Sequence, residues 1–236
     1  MTIRTSDPIS TPSRYDNPFA TCWTRPGALA FRFVGGQTVD QLIDKLAAQD
    51  WWGEIVGAHG SGKSTLLETL KPALTTAGRR VHVITHRNGQ SRLPPELWHA
   101  MQRDGMLPSI WGLARRSTPA TREKGNPLLI VDGYKQLGWF ARWRLKRRCR
   151  RAGAGLLVTS HAPIGLPELV RLAPNRCLIE KLVRDLCAQV SAEITAEDVA
   201  ASHACHGSNV REIFFELYRR HERRRRTART LSGAVA

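Results

Sequence analysis

The stretch that most constrains this chain is Gly57-Ala58-His59-Gly60-Ser61-Gly62-Lys63-Ser64-Thr65. It follows the apolar pair Ile55-Val56 and opens the run Leu66-Leu67-Glu68-Thr69-Leu70. Its spacing, G-x-x-x-x-G-K-[ST], is that of a phosphate-binding loop (P-loop), and the spacing has a physical reason. Gly57, Gly60 and Gly62 let the backbone wrap a phosphate chain, so that successive N–H groups and the N-terminus of the next helix face negative charge. In that geometry Lys63 reaches the β- and γ-phosphates and the Ser64 hydroxyl takes a magnesium position. The mechanism needs a strand before the loop and a helix after it, and the flanking residues carry both patterns.

The rest of the chain extends that strand–loop–helix unit. Residues 1–20 are rich in Ser, Thr, Asp, Asn and Pro without apolar periodicity and read as a flexible lead-in. After a short apolar run over 29–34 and the pair Gly35-Gly36, residues Val39, Leu42, Ile43 and Leu46 recur at helical spacing behind Thr38 and Gln41, a capping-box pair. Residues 51–56 supply the first central strand, the helix after the loop stops at Ala77-Gly78, and 81–85 supply a second strand, which completes a parallel βαβ unit. Between 86 and 127, loop signals at Arg87-Asn88-Gly89-Gln90 and Pro94-Pro95 and a helical stretch over 96–102 predict a loop facing the phosphate site with one or two short helices.

Pro127-Leu128-Leu129-Ile130-Val131-Asp132-Gly133 is the second anchor. An unbroken apolar run with a carboxylate at its end describes a strand buried on both faces. Open α/β sheets place their chemistry at such ends. Asp132 is therefore the candidate Walker B carboxylate, sharing a magnesium site with Ser64; the alternative is a cap or turn aspartate ahead of Gly133. A helix over 136–151 follows, then a buried strand over 155–161 with polar residues Thr159-Ser160-His161 at its end, and a fifth strand over 176–182. Four or five parallel strands with crossover helices make a three-layer α/β/α sandwich.

Charge bears on partners. The balance of 36 Lys and Arg against 20 Asp and Glu, a formal +16, favours polyanions such as nucleic acid, an anionic surface or an acidic protein. The cations concentrate over 142–151 and 219–226. Trp139, Phe140 and Trp143, interleaved with the first cluster, either pack on the sheet or offer faces for stacking on single-stranded bases. The five cysteines contain no C-x-x-C pair and leave one over, which points to reduced thiols in a cytoplasmic setting. The lead-in lacks a signal-type apolar core, and no stretch approaches the ~20 apolar residues of a membrane span. His203, Cys205 and His206 lack the paired spacing of a zinc site.

The order of parts resembles the P-loop NTPases of the additional-strand (ASCE) branch: P-loop strand, intervening strand, Walker B strand, polar-ended strand. Ile194-Thr195-Ala196-Glu197-Asp198-Val199 followed by Gly207-Ser208-Asn209-Val210-Arg211-Glu212-Ile213 is similar to the lid of an AAA+ ATPase, close to its G-N-V-R-E-[LI] box. The resemblance covers about residues 50–220. It implies ATP and Mg²⁺ as ligands, with nucleotide on Gly57, Ala58, His59, Gly60, Ser61, Gly62, Lys63, Ser64 and Thr65 and the ion completed by Asp132. It also implies a sensor 1 group at Thr159 or Ser160, a sensor 2 arginine at Arg211 and an arginine finger at Arg171 or Arg176. Arg211 reads equally as a solvated base on a helix over 209–221 whose buried stripe is Val210, Ile213, Phe214 and Leu217.

The implied organisation is a lead-in over 1–20, a core over 21–185, a small helical lid over 186–222 and a basic tail over 223–236. One departure stands out: AAA+ ATPases place Glu directly after the Walker B Asp, and here Gly133 occupies that position. Either another group positions water, with His161 and a loop glutamate as candidates, or nucleotide is bound and turned over slowly. His161 also reads as an ordinary polar residue at a strand end. The expectation is an ATP-binding protein and ATP hydrolase that couples nucleotide state to nucleic acid, a partner protein or further copies of itself. The alternatives are a small-molecule phosphotransferase and a non-hydrolysing switch. The Leu-Ser-Gly-Gly-Gln signature of transporter ATPases is absent from the sequence.

Overall fold

A computed structural model describes residues 17–86, 125–188 and 194–233. The loop and short helices expected within 86–127, and most of the lead-in, lie outside the described residues. The chain divides into two compact units, one spanning residues 30–173 and the other formed by residues before 30 and after 173.

The first unit opens with α1 (Val39–Ala48), and the capping box read from the sequence is present: the Thr38 hydroxyl accepts from the Gln41 N–H at 3.2 Å, and the Gln41 side chain accepts from the Thr38 N–H at 3.1 Å. Then follow β1 (Trp52–Gly57), α2 (Lys63–Thr76), β2 (Arg79–Thr85), β3 (Asn126–Asp132), α3 (Trp139–Arg151), β4 (Gly155–Ser160) and β5 (Glu168–Leu172). All strand pairs are parallel, in the order β2-β3-β4-β1-β5, so β4 lies between the P-loop strand and the strand that ends in Asp132. The expected parallel sandwich is thus the observed fold.

The apolar run of β3 is divided between two cores. Leu128 and Ile130 join Leu42 and Leu46 of α1 and Leu66, Leu67, Leu70 and Leu74 of α2. Leu129 and Val131 join Leu145 and Cys149 of α3 on the other face. A strand with helices on both sides needs apolar residues at every position, which is why the run is unbroken. The helix expected over 136–151 starts later, at Trp139, because a 3₁₀ turn (Tyr134–Gln136) and an extended Leu137 come first.

One strand assignment is corrected. Residues 176–182 are helical, within α4 (Arg176–Cys187), and the fifth strand is β5. The Asn175 side chain accepts from the Leu178 N–H at 2.9 Å and starts the helix. Ile179, Leu182, Val183 and Leu186 then recur at helical spacing and are buried together. Read over seven residues, this segment shows only a short apolar run, which suits either structure.

The second unit contains α4, α5 (Ala196–His206) and α6 (Val210–Gly233), with a single helical turn (Thr21–Thr24) before them. Its core joins Phe19, Ile179, Leu182, Val183, Leu186, Val199, Val210, Ile213, Phe214 and Leu217. Below it, buried Asp198 accepts from Arg220 Nη1 at 3.0 Å and from Arg224 Nη1 at 2.6 Å. Burial pushes the Asp198 carboxyl up, but hydrogen bonds from Arg224, from the Thr195 N–H and from Arg220 outweigh it and hold the group at about 2. Among the described residues no helix is long and apolar enough to cross a membrane.

Candidate functional site

The site lies where β1, β3 and β4 end. β1 closes at Gly57, and a Cβ there would sit 2.6 Å from Ser61 Oγ and 2.9 Å from the Leu172 carbonyl, so only glycine fits between the loop and β5. Gly60 and Gly62 turn the chain through left-handed backbone, φ 69° and 93°, and Gly62 is the N-cap of α2. Ala58 and His59 are exposed and Ser61 is buried. The first-turn N–H groups of α2, on Lys63, Ser64 and Thr65, therefore stand at the mouth of a backbone cradle, with the helix dipole behind them.

Lys63 is buried and donates from Nζ to the carbonyls of Gly57 and Ala58, both at 2.7 Å. Burial lowers its pKa and the Asp132 carboxylate raises it in part. An ammonium has three donors, so two bonds to the loop hold it in place and leave one for an incoming anion.

Asp132 is the centre of the arrangement. Its Oδ2 accepts from Ser64 Oγ at 2.6 Å and its Oδ1 accepts from Thr159 Oγ1 at 2.6 Å. Thr159 Oγ1 in turn accepts from the Gly133 N–H at 2.9 Å. One carboxylate thus ties the first turn of α2 to the end of β4. Of the two residues expected at the sensor 1 position, Thr159 makes this contact, whereas the buried Ser160 hydroxyl has no hydrogen-bond partner among the described residues. The donors offered to a cation, a hydroxyl and a carboxylate, are hard oxygens, and their chemistry fits Mg²⁺.

Gly133 answers the question of the missing glutamate in backbone terms. Its φ is +83°, and a Cβ would lie 3.0 Å from the His86 carbonyl oxygen. The chain enters a 3₁₀ turn immediately after Gly133, and the His86 N–H donates to the Asp132 carbonyl at 2.9 Å. His161 is at the loop: its Nδ1 lies 3.4 Å from the Gly57 carbonyl, and its ring stacks on His59 at 3.7 Å between centroids. Burial, then Lys63, then His59 lower the His161 pKa from the ordinary histidine value. The stacked pair was not legible in the sequence, where the two residues are 102 positions apart. A second feature that sequence reasoning missed is Phe31, whose ring a Cβ on Gly62 would meet at 3.6 Å.

The remaining residues expected at the site are placed as follows. Arg171 is on β5, exposed and paired with Glu168; Arg176 opens α4 and pairs with Glu180 at 2.7 Å. Arg211 is exposed in the first turn of α6, in the second unit. Its neighbours in the motif have structural work: the Asn209 side chain accepts from the Glu212 N–H at 3.3 Å, and Val210 and Ile213 are buried in the core. Among the described residues no group of three His, Cys, Asp or Glu side chains is arranged to hold a metal; His206 instead pairs with Glu216 at 2.8 Å.

Strand order, loop and carboxylate together make a parallel α/β sandwich of P-loop type, with the loop after the first strand and Asp132 at the end of the third. No protein-family model and no curated protein matches the chain. Among solved structures it is similar to the Walker-type ATPase of Pyrococcus abyssi, at 13% identity and a TM-score of 0.49 over 86% of this chain and 73% of that one. It is also similar to AMPPCP-bound DnaA from Aquifex aeolicus, at 16% identity and a TM-score of 0.47 over 84% and 68%. PCH-2 of C. elegans is similar at 12% identity and a TM-score of 0.47 over 86% and 72%.

Proposed function

We propose that the chain binds ATP with Mg²⁺ and hydrolyses it as an AAA+-like ATPase, coupling its nucleotide state to a nucleic-acid or protein partner. The observation that supports this most is the Asp132 carboxylate, held at 2.6 Å by Ser64 on one oxygen and by Thr159 on the other, beside the Lys63 loop. Bound Mg²⁺ would neutralise charge on the β- and γ-phosphates. The backbone cradle and Lys63 bind and orient the triphosphate, Ser64 and Asp132 hold the ion, and Thr159 keeps the carboxylate aimed. Phosphoryl transfer needs charge stabilisation and an aligned water rather than a covalent protein intermediate, so this set suffices for binding and for much of the barrier lowering. His161, beside the loop and stacked on His59, is the group we assign to the γ-phosphate end.

Gly133 favours a second reading, a nucleotide-binding switch with turnover near background, because it stands where the usual glutamate would and its left-handed backbone strains any side chain there. ATP titration calorimetry beside a phosphate-release assay separates the two. Binding that needs Mg²⁺ and weakens about tenfold or more in Lys63→Ala and Asp132→Ala supports the site. Turnover abolished in the same variants supports the ATPase, whereas binding without turnover selects the switch. Undiminished ATP binding by Lys63→Ala overturns both.

A further inference from the structure

The outward face of α3 carries exposed aromatic rings and cations together. The helix buries Leu145 and Cys149 against the sheet, with Ala141 packed beside them. Its apolar stripe is thereby used up. Yet Trp139 is 74% exposed, Phe140 54% and Trp143 51%. Three large aromatic rings in one turn and a half of solvated helix have no role in the core.

These rings are organised. Trp139 meets Phe140 edge-on at 5.9 Å, and Phe140 stacks on Trp143 at 5.8 Å with 26° between planes. The Arg147 guanidinium lies over the Trp143 ring at 5.6 Å, and that of Arg150 over the Trp52 ring at 5.2 Å. Trp139, Trp143 and Arg147 follow one another at i, i+4 and i+8, so rings and guanidinium share one face. Arg144, Arg147, Arg150 and Arg151 are all exposed, and α3 contains no Asp or Glu. The cations crowd one another: besides burial, Arg150 lowers the Lys146 pKa and Arg144 that of Arg148, with Glu54 acting the other way on Lys146.

We propose that this face of α3 binds a nucleic-acid single strand, its bases stacking on Trp139, Phe140 and Trp143 and its phosphates pairing with Arg144, Arg147, Arg150 and Arg151. Two features select this occupant. A phosphate backbone supplies the anions that a helix of thirteen residues without a carboxylate lacks. A membrane-surface helix keeps its apolar residues on one face and its cations on the other; here the apolar face is spent on the sheet, and the outward face carries both, rings over 139–143 and exposed arginines over 144–151. That order suits a single strand whose unpaired bases stack on the rings while its backbone runs on along the arginines. A duplex hides its base faces, so the rings would gain nothing from one. The inference deepens the reading above by naming its partner class, and it stands on α3 alone, whether or not ATP is turned over.

The test is fluorescence anisotropy of a labelled (dT)20 with the full-length protein, repeated with a 20-base-pair duplex and with vesicles of mixed phosphatidylserine and phosphatidylcholine. Wild type should prefer the single strand, with log K falling against log salt at a slope of about −3, the value for about four phosphate contacts. Trp139→Ala with Trp143→Ala should weaken (dT)20 binding tenfold or more while leaving duplex binding within about twofold. Trp139→Phe with Trp143→Phe should restore most of it. Both tryptophans are more than half exposed, so the melting temperature should not move, and a circular dichroism melt checks this. Lys63→Ala should bind (dT)20 as wild type does, which separates this inference from the nucleotide reading. Equal affinity of the double alanine variant for (dT)20 overturns the proposal, as does vesicle binding that depends on the tryptophans while (dT)20 binding does not.

Discussion

At the scale of single residues two adjacent hydroxyls at the end of β4 differ: Thr159 bonds the Asp132 carboxylate and Ser160 does not. Thr159→Val removes a bond to a charged group and leaves Asp132 Oδ1 and the Gly133 N–H without their partner, so Mg²⁺-ATP affinity should fall by about tenfold. Ser160→Ala removes a buried hydroxyl with no partner among the described residues and should leave affinity unchanged and stability equal or slightly higher. Calorimetric titration and thermal melts on the pair check both, and the reverse pattern would exchange their roles. Gly133→Glu should not create a catalytic base. A side chain in left-handed backbone costs about 1–2 kcal/mol, and the His86 carbonyl crowds the new Cβ, so the expected outcome is a lower melting temperature with no gain in turnover. His161, which burial and neighbouring Lys63 and His59 hold below the ordinary histidine pKa, should titrate below about 6.5 in the free protein. A bound triphosphate offsets Lys63, so ATP should shift the midpoint upward, as read by NMR of the imidazole. A midpoint unmoved by ATP would remove His161 from the phosphate site.

At the scale of elements, the predictions concern what starts and anchors each helix. Thr38→Ala takes away the α1 cap and should cost about 1 kcal/mol, measured by denaturant unfolding. Asp198 carries a pH signature. Its folded pKa of about 2 lies below the unfolded value near 3.9, so its stabilisation is present above about pH 5 and is lost as pH falls toward 2. The full effect is on the order of 2 kcal/mol. A melt series from pH 6 to pH 2 should show this loss in wild type and not in Asp198→Asn, which is destabilised at neutral pH already. The elements also show what the sequence could and could not disclose. The α1 cap, the P-loop and β3 were legible because each is specified by residues next to one another: a Thr–Gln pair, a glycine spacing, an apolar run ending in Asp. Residues 176–182 were not, because a short apolar run suits helix and strand alike until the stripe continues to Leu186. The contact between Thr159 and Asp132 and the stacking of His59 on His161 depend on strand register, β4 beside both β1 and β3, and no local pattern encodes that.

At the scale of the whole molecule, +16 of formal charge is not spread evenly. In the second unit part of it is absorbed, with Arg220 bound to Asp198 and Glu216 and Arg224 to Asp198. In the first unit α3 carries its cations without a carboxylate of its own. Polyanion binding should therefore respond more to charge reversal at Arg147 and Arg151 than at Arg220, where reversal should lower stability instead; heparin-column retention and melts read the two effects separately. The helix that carries this charge is joined to the carboxylate of the candidate site by six residues, 133–138, and Gly133 both begins that connection and donates to Thr159. Such closeness along the chain has a thermodynamic corollary. Two ligands that meet on one folded body exert equal claims on each other: by whatever factor bound ATP changes the hold of α3 on a strand, the strand changes the hold of the P-loop on ATP by the same factor. Measuring either affinity with and without the other ligand therefore yields both halves of the exchange, and a mismatch between them would reveal a third participant in the equilibrium.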